Sequence, residues 1–146
     1  GMPCAVVQYI KGSMQSAERD LLKERFSDIC PVHVMGEGFT WETQDRERDI
    51  EMATAAWEKA KALIRDPANR MVLLDEINIA LRYEYLDAEE VADFLVNEKP
   101  EMTHVILTGR NAPDVLIDVA DLVSEVKDVK HPFRDQGVVA QAGVEF

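Results

Sequence analysis

An apolar run that ends in two carboxylates is the first segment of the sequence that could do chemistry. Residues 71 to 76 read MVLLDE. A buried strand followed by Asp-Glu has the form of a Walker B element, in which a carboxylate holds Mg²⁺ beside nucleotide phosphates. Acidic residues more often follow strands simply as helix caps, so the pattern is weak when it stands alone. Asp75 and Glu76 are therefore candidate metal ligands that need support from other residues.

Two further segments follow predicted strands and carry side chains suited to ligand binding. GEGFTW (36 to 41) places Phe39 and Trp41 on a glycine-bounded loop, and TGRN (108 to 111) contains Arg110. In an open parallel sheet, ligands bind outside the carboxyl ends of the strands, where all three segments would meet. The two aromatics suit a flat apolar ligand, or they fold back on the core. Arg110 could donate to a phosphate, although a surface arginine after a strand is equally ordinary.

The elements that must position these residues alternate between strands and helices. Apolar and β-branched runs predict strands at 5–10, 31–35, 71–74, 103–109 and 122–129. Helical spacing of apolar residues and capping signals predict helices at 17–26, 45–66, 87–95 and 113–120. This alternation predicts an α/β fold with a mostly parallel sheet and helices on both faces. The continuous run at 71–74 predicts a strand buried on both sides.

Length and charge limit the classes of function. The chain has 146 residues and a net charge of −12, which suits one domain and disfavours nucleic acids and anionic membranes as partners. No leader or membrane-spanning run is evident, so we expect a soluble, cytoplasmic protein. Cys4 and Cys30 are expected to be buried free thiols, and the three scattered histidines do not predict a metal cluster.

The remaining polar and aromatic segments have ordinary structural interpretations. Tyr83 and Tyr85 are expected to be half-buried aromatics of the core or of an interface. The acidic stretch DRERD (45–49) is expected to be a solvated helix start. Since no Ser-His-Asp set, Cys-His pair or GxGxxG motif is visible, hydrolase and dinucleotide-binding functions lack support.

Seven segments follow one another along the chain from about residue 5 to its end: VVQYIKG, AERDLL, GEGFTWE, VLLDEINIALRYEYL, HVILTGRNAP, DVADLVSEV and VKHPF with GVVAQAGVEF. In this order and spacing they resemble the P-loop class of ATP:corrinoid adenosyltransferases, which act on cob(I)alamin or cob(I)yrinic acid a,c-diamide. The resemblance implies a RecA-like P-loop NTPase fold and a homodimer. It also implies transfer of the 5′-deoxyadenosyl group from Mg-ATP to cobalt with release of triphosphate, in adenosylcobalamin synthesis. A reducing flavoprotein is the implied electron donor.

The resemblance also implies roles for individual residues. Glu76 resembles the family's metal-coordinating carboxylate, with Asp75 beside it. Phe39 and Trp41 resemble the aromatics that pack against the lower face of the corrin, displace the lower axial ligand of Co(II) and so favour its reduction. Arg110 and Asn111 fit the family's TGRN segment and are expected to contact a substrate.

The sequence departs from the family pattern in one respect. The family begins with a strand, a Walker A loop ending in Gly-Lys-Thr, and a helix, and the printed residues contain none of these. We therefore expect one N-terminally truncated domain over 1–146, with a RecA-like fold that is missing its first strand, P-loop and helix. By itself this domain is expected to bind ATP poorly and to be weakly active or inactive. Two alternatives stay open: a corrinoid-binding paralogue without a P-loop or catalysis, and an unrelated α/β interaction domain.

Overall fold

The protein is described by a computed structural model that covers residues 1–10, 16–35 and 45–141. Its strands are β1 (Cys4–Gln8), β2 (Val32–Val34), β3 (Met71–Asp75) and β4 (His104–Leu107). Its helices are α1 (Ala17–Arg25), α2 (Arg46–Arg65), α3 (Ile77–Arg82), α4 (Ala88–Asn97), α5 (Asp114–Val119) and α6 (Pro132–Gln136).

The four strands form one sheet in the order β2-β1-β3-β4, and every pair is parallel. Gln8 pairs with Asp75, and Leu74 pairs with Leu107, so β1, β3 and β4 end almost level with one another. The predicted α/β fold with a parallel sheet flanked by helices is confirmed, and it is consistent with a RecA-like P-loop NTPase-like fold.

One face of the sheet is covered completely at its two central strands, β1 and β3. Four of its residues are at most 1% exposed: Ala5, Val7, Val72 and Leu74. The cover comes from α2, which packs on β1 and β3. Its buried side chains recur at helical spacing: Ala53, Ala56, Trp57, Ala60 and Ile64. The predicted apolar stripe is confirmed at these positions, whereas Leu63 is only partly buried and packs at the margin of the core.

The opposite face of the sheet is covered only in part. Val6 and Leu73 are half-buried and Ile106 is 43% exposed. Burial alternates along β3, and only Val72 and Leu74 are buried completely. The prediction that residues 71–74 are buried on both sides therefore holds for one side, because the side chains of a strand point alternately to its two faces.

Three local predictions need separate comment. The strand predicted at 122–129 is wrong, because this segment has no strand neighbour among the described residues and Leu122, Val126 and Val129 are more than 80% exposed. Helices α3 and α6 are too short for a periodic pattern to reveal. The cap of α4 is confirmed, since the Asp87 carboxylate accepts from the backbone N–H of Glu89 at 2.8 Å and of Glu90 at 3.4 Å.

No helix in the described part of the chain is both long and apolar enough to cross a membrane.

Candidate functional site

Polar side chains meet where β1, β3 and β4 end at the carboxyl edge of the sheet. Gln8 is the last residue of β1, Asp75 is the last residue of β3, and Thr108 follows β4 directly. The Thr108 N–H donates to the Leu74 carbonyl at 3.1 Å, which continues the sheet pairing by one residue. The strands therefore hold the three side chains in a row along the carboxyl edge of the sheet.

The Asp75 carboxylate bridges the two neighbouring strands. Its Oδ2 accepts a hydrogen bond from Gln8 Nε2 at 3.0 Å, and its Oδ1 accepts one from the Thr108 hydroxyl at 3.1 Å. The Asp75 carbonyl also accepts from the N–H of Tyr9 at 3.0 Å. Because each carboxylate oxygen already has a neutral donor, the orientation of Asp75 is set by the sheet.

Glu76 leaves the strand with an uncommon backbone conformation. Its φ of 65° and ψ of 22° place it in the left-handed region, which a side chain disfavours. Its N–H donates to the Thr108 hydroxyl oxygen at 3.0 Å, so one threonine contacts both acidic residues. The chain turns at this point from β3 into α3. The Glu76 side chain therefore leaves the backbone in a different direction from the Asp75 side chain.

Gly109 lies directly against this turn. A Cβ at Gly109 would be 2.9 Å from Asn78 Cβ and 3.3 Å from Glu76 Oε2, and its φ of +123° suits glycine. Asn78 connects the two segments further, because its backbone N–H donates to the Thr108 carbonyl at 3.2 Å and its Nδ2 to the Gly109 carbonyl at 3.4 Å. The backbone of 108–109 thus approaches Glu76 closely only because residue 109 has no side chain.

The structure brings together some of the residues predicted from sequence. Asp75 and Glu76 lie at the carboxyl edge as expected, and the TGRN segment begins beside them. Arg110 and Asn111 are exposed, and Asn111 has a positive φ of 57°. Phe39 and Trp41 lie outside the described residues, so their predicted place at the same edge stays a prediction.

The two carboxylates suit the protein's share of a magnesium site. Mg²⁺ is commonly held by one or two carboxylates, with phosphate oxygens and waters completing its octahedron. Asp75 and Glu76 are half-buried oxygen donors at a strand end, and Gly109 leaves room beside Glu76. Across 1–10, 16–35 and 45–141, no three His, Cys, Asp or Glu side chains are grouped so as to hold a metal ion. Carboxylate oxygens such as those of Asp75 and Glu76 are donors of the type that Mg²⁺ takes in proteins.

A second cluster ties the start of α2 to the segment after α3. Arg46 Nη1 donates to the Tyr83 carbonyl at 3.0 Å, and the Arg46 guanidinium lies 5.5 Å from the centre of the Tyr85 ring. The Tyr85 hydroxyl donates to Asp49 Oδ2 at 3.2 Å, and the rings of Tyr83 and Tyr85 stack at 5.7 Å. Residues 45–49 begin a helix as predicted, but Arg46 and Asp49 also contact Tyr83 and Tyr85. Tyr85 packs against the core as expected, whereas Tyr83 is 38% exposed.

Shifted pKa values occur at Tyr9, Cys30 and His33. Burial raises the pKa of the Tyr9 phenol, so this residue beside Gln8 stays protonated. Burial, reinforced by the neighbouring Cys4, raises the pKa of the Cys30 thiol to about 11. Both cysteines are free but half-buried, so the expectation of fully buried thiols is corrected. Burial and then the charge of Lys59 lower the pKa of His33.

The sequence of the whole chain matches one known family. The model of the family described as "ATP:corrinoid adenosyltransferase BtuR/CobO/CobP" matches residues 1–146. The chain belongs to the ATP:corrinoid adenosyltransferase family. It is thus placed among transferases, and the resemblance inferred from the ordered segments is confirmed.

Curated relatives bear the same family name. A corrinoid adenosyltransferase of Sinorhizobium sp is 66% identical over 146 residues, which are 100% of this chain and 68% of that protein. A corrinoid adenosyltransferase of Pseudomonas aeruginosa is 50% identical over 147 residues, covering 100% of this chain and 70% of the relative. The corrinoid adenosyltransferase of Escherichia coli K12 is 42% identical over 146 residues, which are 100% of this chain and 72% of that protein. Family similarity thus extends over every element described above.

No sequence motif marks Gln8, Asn78 or the hydroxyl of Thr108 as part of the site in this family member. Gln8 ends a predicted strand and Thr108 begins the predicted TGRN segment, so their place at the carboxyl edge was readable. Their contacts with Asp75 and Glu76 were not readable, because they depend on which strands are neighbours in the sheet.

Proposed function

We propose that this chain takes part in transfer of the 5′-deoxyadenosyl group from ATP to the cobalt of a reduced corrinoid, with release of triphosphate, in adenosylcobalamin synthesis. The observation that carries this proposal is the family match over residues 1–146. The position of Asp75 and Glu76 at the carboxyl edge of a parallel sheet supports it, because nucleotides bind at this edge in open α/β folds.

In this proposal Glu76 is the protein carboxylate closest to the triphosphate of ATP. A magnesium ion bound there would neutralise charge on the departing triphosphate. Asp75 lies beside Glu76 and is held by Gln8 and Thr108. Arg110, exposed at the same edge, is proposed to donate to a substrate oxygen, and Asn111 is proposed to contact substrate.

The corrinoid is the second substrate, and its site is proposed from the resemblance alone. Phe39 and Trp41 would pack against the lower corrin face and displace the lower axial ligand of Co(II), leaving a four-coordinate metal that accepts an electron more readily. Cobalt(I) then supplies the electron pair for the new bond to C5′, and the C5′–O bond breaks with its electron pair leaving on triphosphate. The protein contributes mainly by holding C5′ in line with cobalt and excluding water.

The proposal includes the setting in which the reaction takes place. A homodimer in the cytoplasm, reduced by a flavoprotein, is the arrangement that the resemblance implies. Residues 1–146 by themselves are proposed to form one domain and to bind Mg-ATP weakly, because the printed sequence contains no glycine-rich loop ending in Gly-Lys-Thr to hold the phosphates.

A spectral titration tests the proposal directly. The chain is titrated with Co(II) corrinoid, with and without Mg-ATP, and formation of the four-coordinate species is followed by absorbance. A spectral shift that depends on Mg-ATP supports the adenosyltransferase function of these residues. A shift that occurs equally without ATP would favour the corrinoid-binding alternative. A folded chain that binds corrinoid neither with nor without a large excess of Mg-ATP would contradict the proposal.

Glu76→Gln tests the carboxylate itself, and Glu101→Gln is the matched control. Glu101 is exposed and precedes β4 at the opposite edge of the sheet. We expect Glu76→Gln to abolish the Mg-ATP-dependent part of the response and Glu101→Gln to leave it unchanged. If both variants give the same Mg-ATP-dependent spectral response, Glu76 is not part of the nucleotide site.

Phe39→Ala tests the corrinoid half of the proposal. We expect it to slow reduction of Co(II) more than alkylation of chemically supplied Co(I), because only the first step needs the four-coordinate metal. Equal losses in the two assays would argue against the proposed contact with the corrin.

A further inference from the structure

Thr108 is the one residue that hydrogen-bonds to both acidic residues in the described part of the site. Its hydroxyl donates to Asp75 Oδ1 at 3.1 Å and accepts from the Glu76 N–H at 3.0 Å. Its own backbone N–H continues the pairing of β4 with β3 by donating to the Leu74 carbonyl. A single side chain on one strand therefore fixes the relation between two residues at the end of the next strand.

This contact determines where the Glu76 carboxylate can go. Glu76 is in the left-handed backbone region, so its side chain leaves the turn in a direction that an extended or helical residue would not adopt. The hydrogen bond from its N–H to Thr108 holds the peptide in that orientation. Gly109 has no Cβ and so leaves space beside the Glu76 carboxylate, since a Cβ at this position would be 3.3 Å from Glu76 Oε2.

Asp75 is placed differently from Glu76. Both of its carboxylate oxygens accept hydrogen bonds, one from Gln8 and one from Thr108, so direct binding of a cation has to compete with these donors. The Asp75 carboxylate is therefore suited to hold Thr108 in its rotamer. The two carboxylates, adjacent in sequence, have separate tasks.

We propose that Thr108 is a positioning residue that aims Glu76 at the cation, with Asp75 as its anchor rather than as a second ligand. This inference rests on the proposed function of Glu76 as the metal-binding carboxylate. Threonine can serve because its hydroxyl is at once a donor to a carboxylate and an acceptor for an amide. Removing an outer-shell partner of a ligating side chain commonly changes metal affinity by about 10–100-fold, and an effect near the lower end is expected for Thr108, which acts through the peptide of Glu76.

Three substitutions separate the positioning role from a general effect on the fold. Thr108→Val keeps the shape of the side chain and removes both hydrogen bonds, whereas Thr108→Ser keeps both. Thr103→Val is the matched control, because Thr103 precedes the same strand at the opposite edge, is 4% exposed and donates to the Asn69 carbonyl at 3.4 Å. The Thr103→Val variant loses a buried hydrogen bond, but the substituted side chain contacts neither carboxylate.

The first readout is hydrogen exchange of the Glu76 amide, followed by NMR on the full chain without metal. We expect Thr108→Val to speed this exchange about tenfold or more relative to Thr103→Val, and Thr108→Ser to keep it near the rate of the unmodified chain. If the Glu76 amide of Thr108→Val exchanges at the rate of the unmodified chain, Thr108 does not position Glu76, regardless of the result of metal binding.

The second readout is Mn²⁺ binding, with paramagnetic broadening of the Gly109 amide signal as a local probe. We expect Thr108→Val to need about tenfold more Mn²⁺ for the same broadening, with Thr108→Ser and Thr103→Val close to the unmodified chain. If Glu76→Gln removes the broadening and Thr108→Val does not change it, the positioning role is wrong and the metal site stands. If the unmodified chain shows no broadening with Mn²⁺, either alone or together with inorganic triphosphate, or if Glu76→Gln leaves the broadening unchanged, the metal role of Glu76 is wrong and the positioning role falls with it.

Discussion

Replacing Gly109 by alanine is the sharpest test of the geometry around Glu76. The structure gives Gly109 a φ of +123°, a value that residues with a side chain rarely adopt. An added Cβ would also stand 2.9 Å from Asn78 Cβ and 3.3 Å from Asn78 N and Glu76 Oε2. Both the backbone angle and the contacts therefore oppose a methyl group at this position.

The expected loss of stability follows from these two effects. A residue with a side chain in a sparsely populated backbone region costs on the order of 1–3 kcal/mol. Overpacking by an added methyl group costs roughly 1–3 kcal/mol in addition. Asn78 is 5% exposed and lies in the first turn of the short helix α3, so it has little freedom to move away. If the effects add, Gly109→Ala loses roughly 2–6 kcal/mol, a large share of the 5–15 kcal/mol typical of a domain.

Urea unfolding followed by circular dichroism measures this loss, and Gly137→Ala is the control. Gly137 also has a positive φ, of 69°, but a Cβ there would meet nothing within 4 Å. Its substitution is expected to cost only about 1–2 kcal/mol, from the left-handed conformation alone. A Gly109→Ala variant no less stable than Gly137→Ala would refute the close approach of residues 108–109 to Glu76 and Asn78.

Three further predictions concern the core, pH and thiol chemistry. Trp57 is 2% exposed, so Trp57→Ala should lower the free energy of unfolding by about 3–5 kcal/mol in urea titrations, and a loss below ~1 kcal/mol would contradict its burial. Burial lowers the pKa of His33, so the unfolded chain binds a proton first as the pH falls below about 6.5. The unmodified chain should therefore lose more stability than His33→Asn between about pH 7.5 and about pH 5.5, and equal losses would contradict the lowered pKa. Because its pKa is raised to about 11, Cys30 should react with iodoacetamide at neutral pH far more slowly than a fully exposed cysteine does, as measured by mass spectrometry. Rapid alkylation of the folded chain would show that the thiol is not shielded.

Most of the fold was readable from local patterns. Strands β1, β2, β3 and β4 and helices α1, α2, α4 and α5 lie where apolar runs, helical spacing or caps predicted them. The alternation of strands and helices was sufficient for a parallel sheet, because parallel neighbours need a long connection between them. The segment 122–129 had the same composition as a strand but no partner in the described sheet, and strand propensity without pairing does not make a strand.

The sequence by itself determined the family, the parallel sheet and the position of Asp75 and Glu76 at a strand end, because order, periodicity and motif are local properties of the chain. Only the tertiary structure decided how those two carboxylates differ. Gln8 and Thr108 reach Asp75 from strands that are 67 and 33 residues away in sequence, and the same threonine holds the Glu76 amide. These contacts depend on which strands are neighbours and in which register they pair, and both are decided by segments that lie far apart in the sequence.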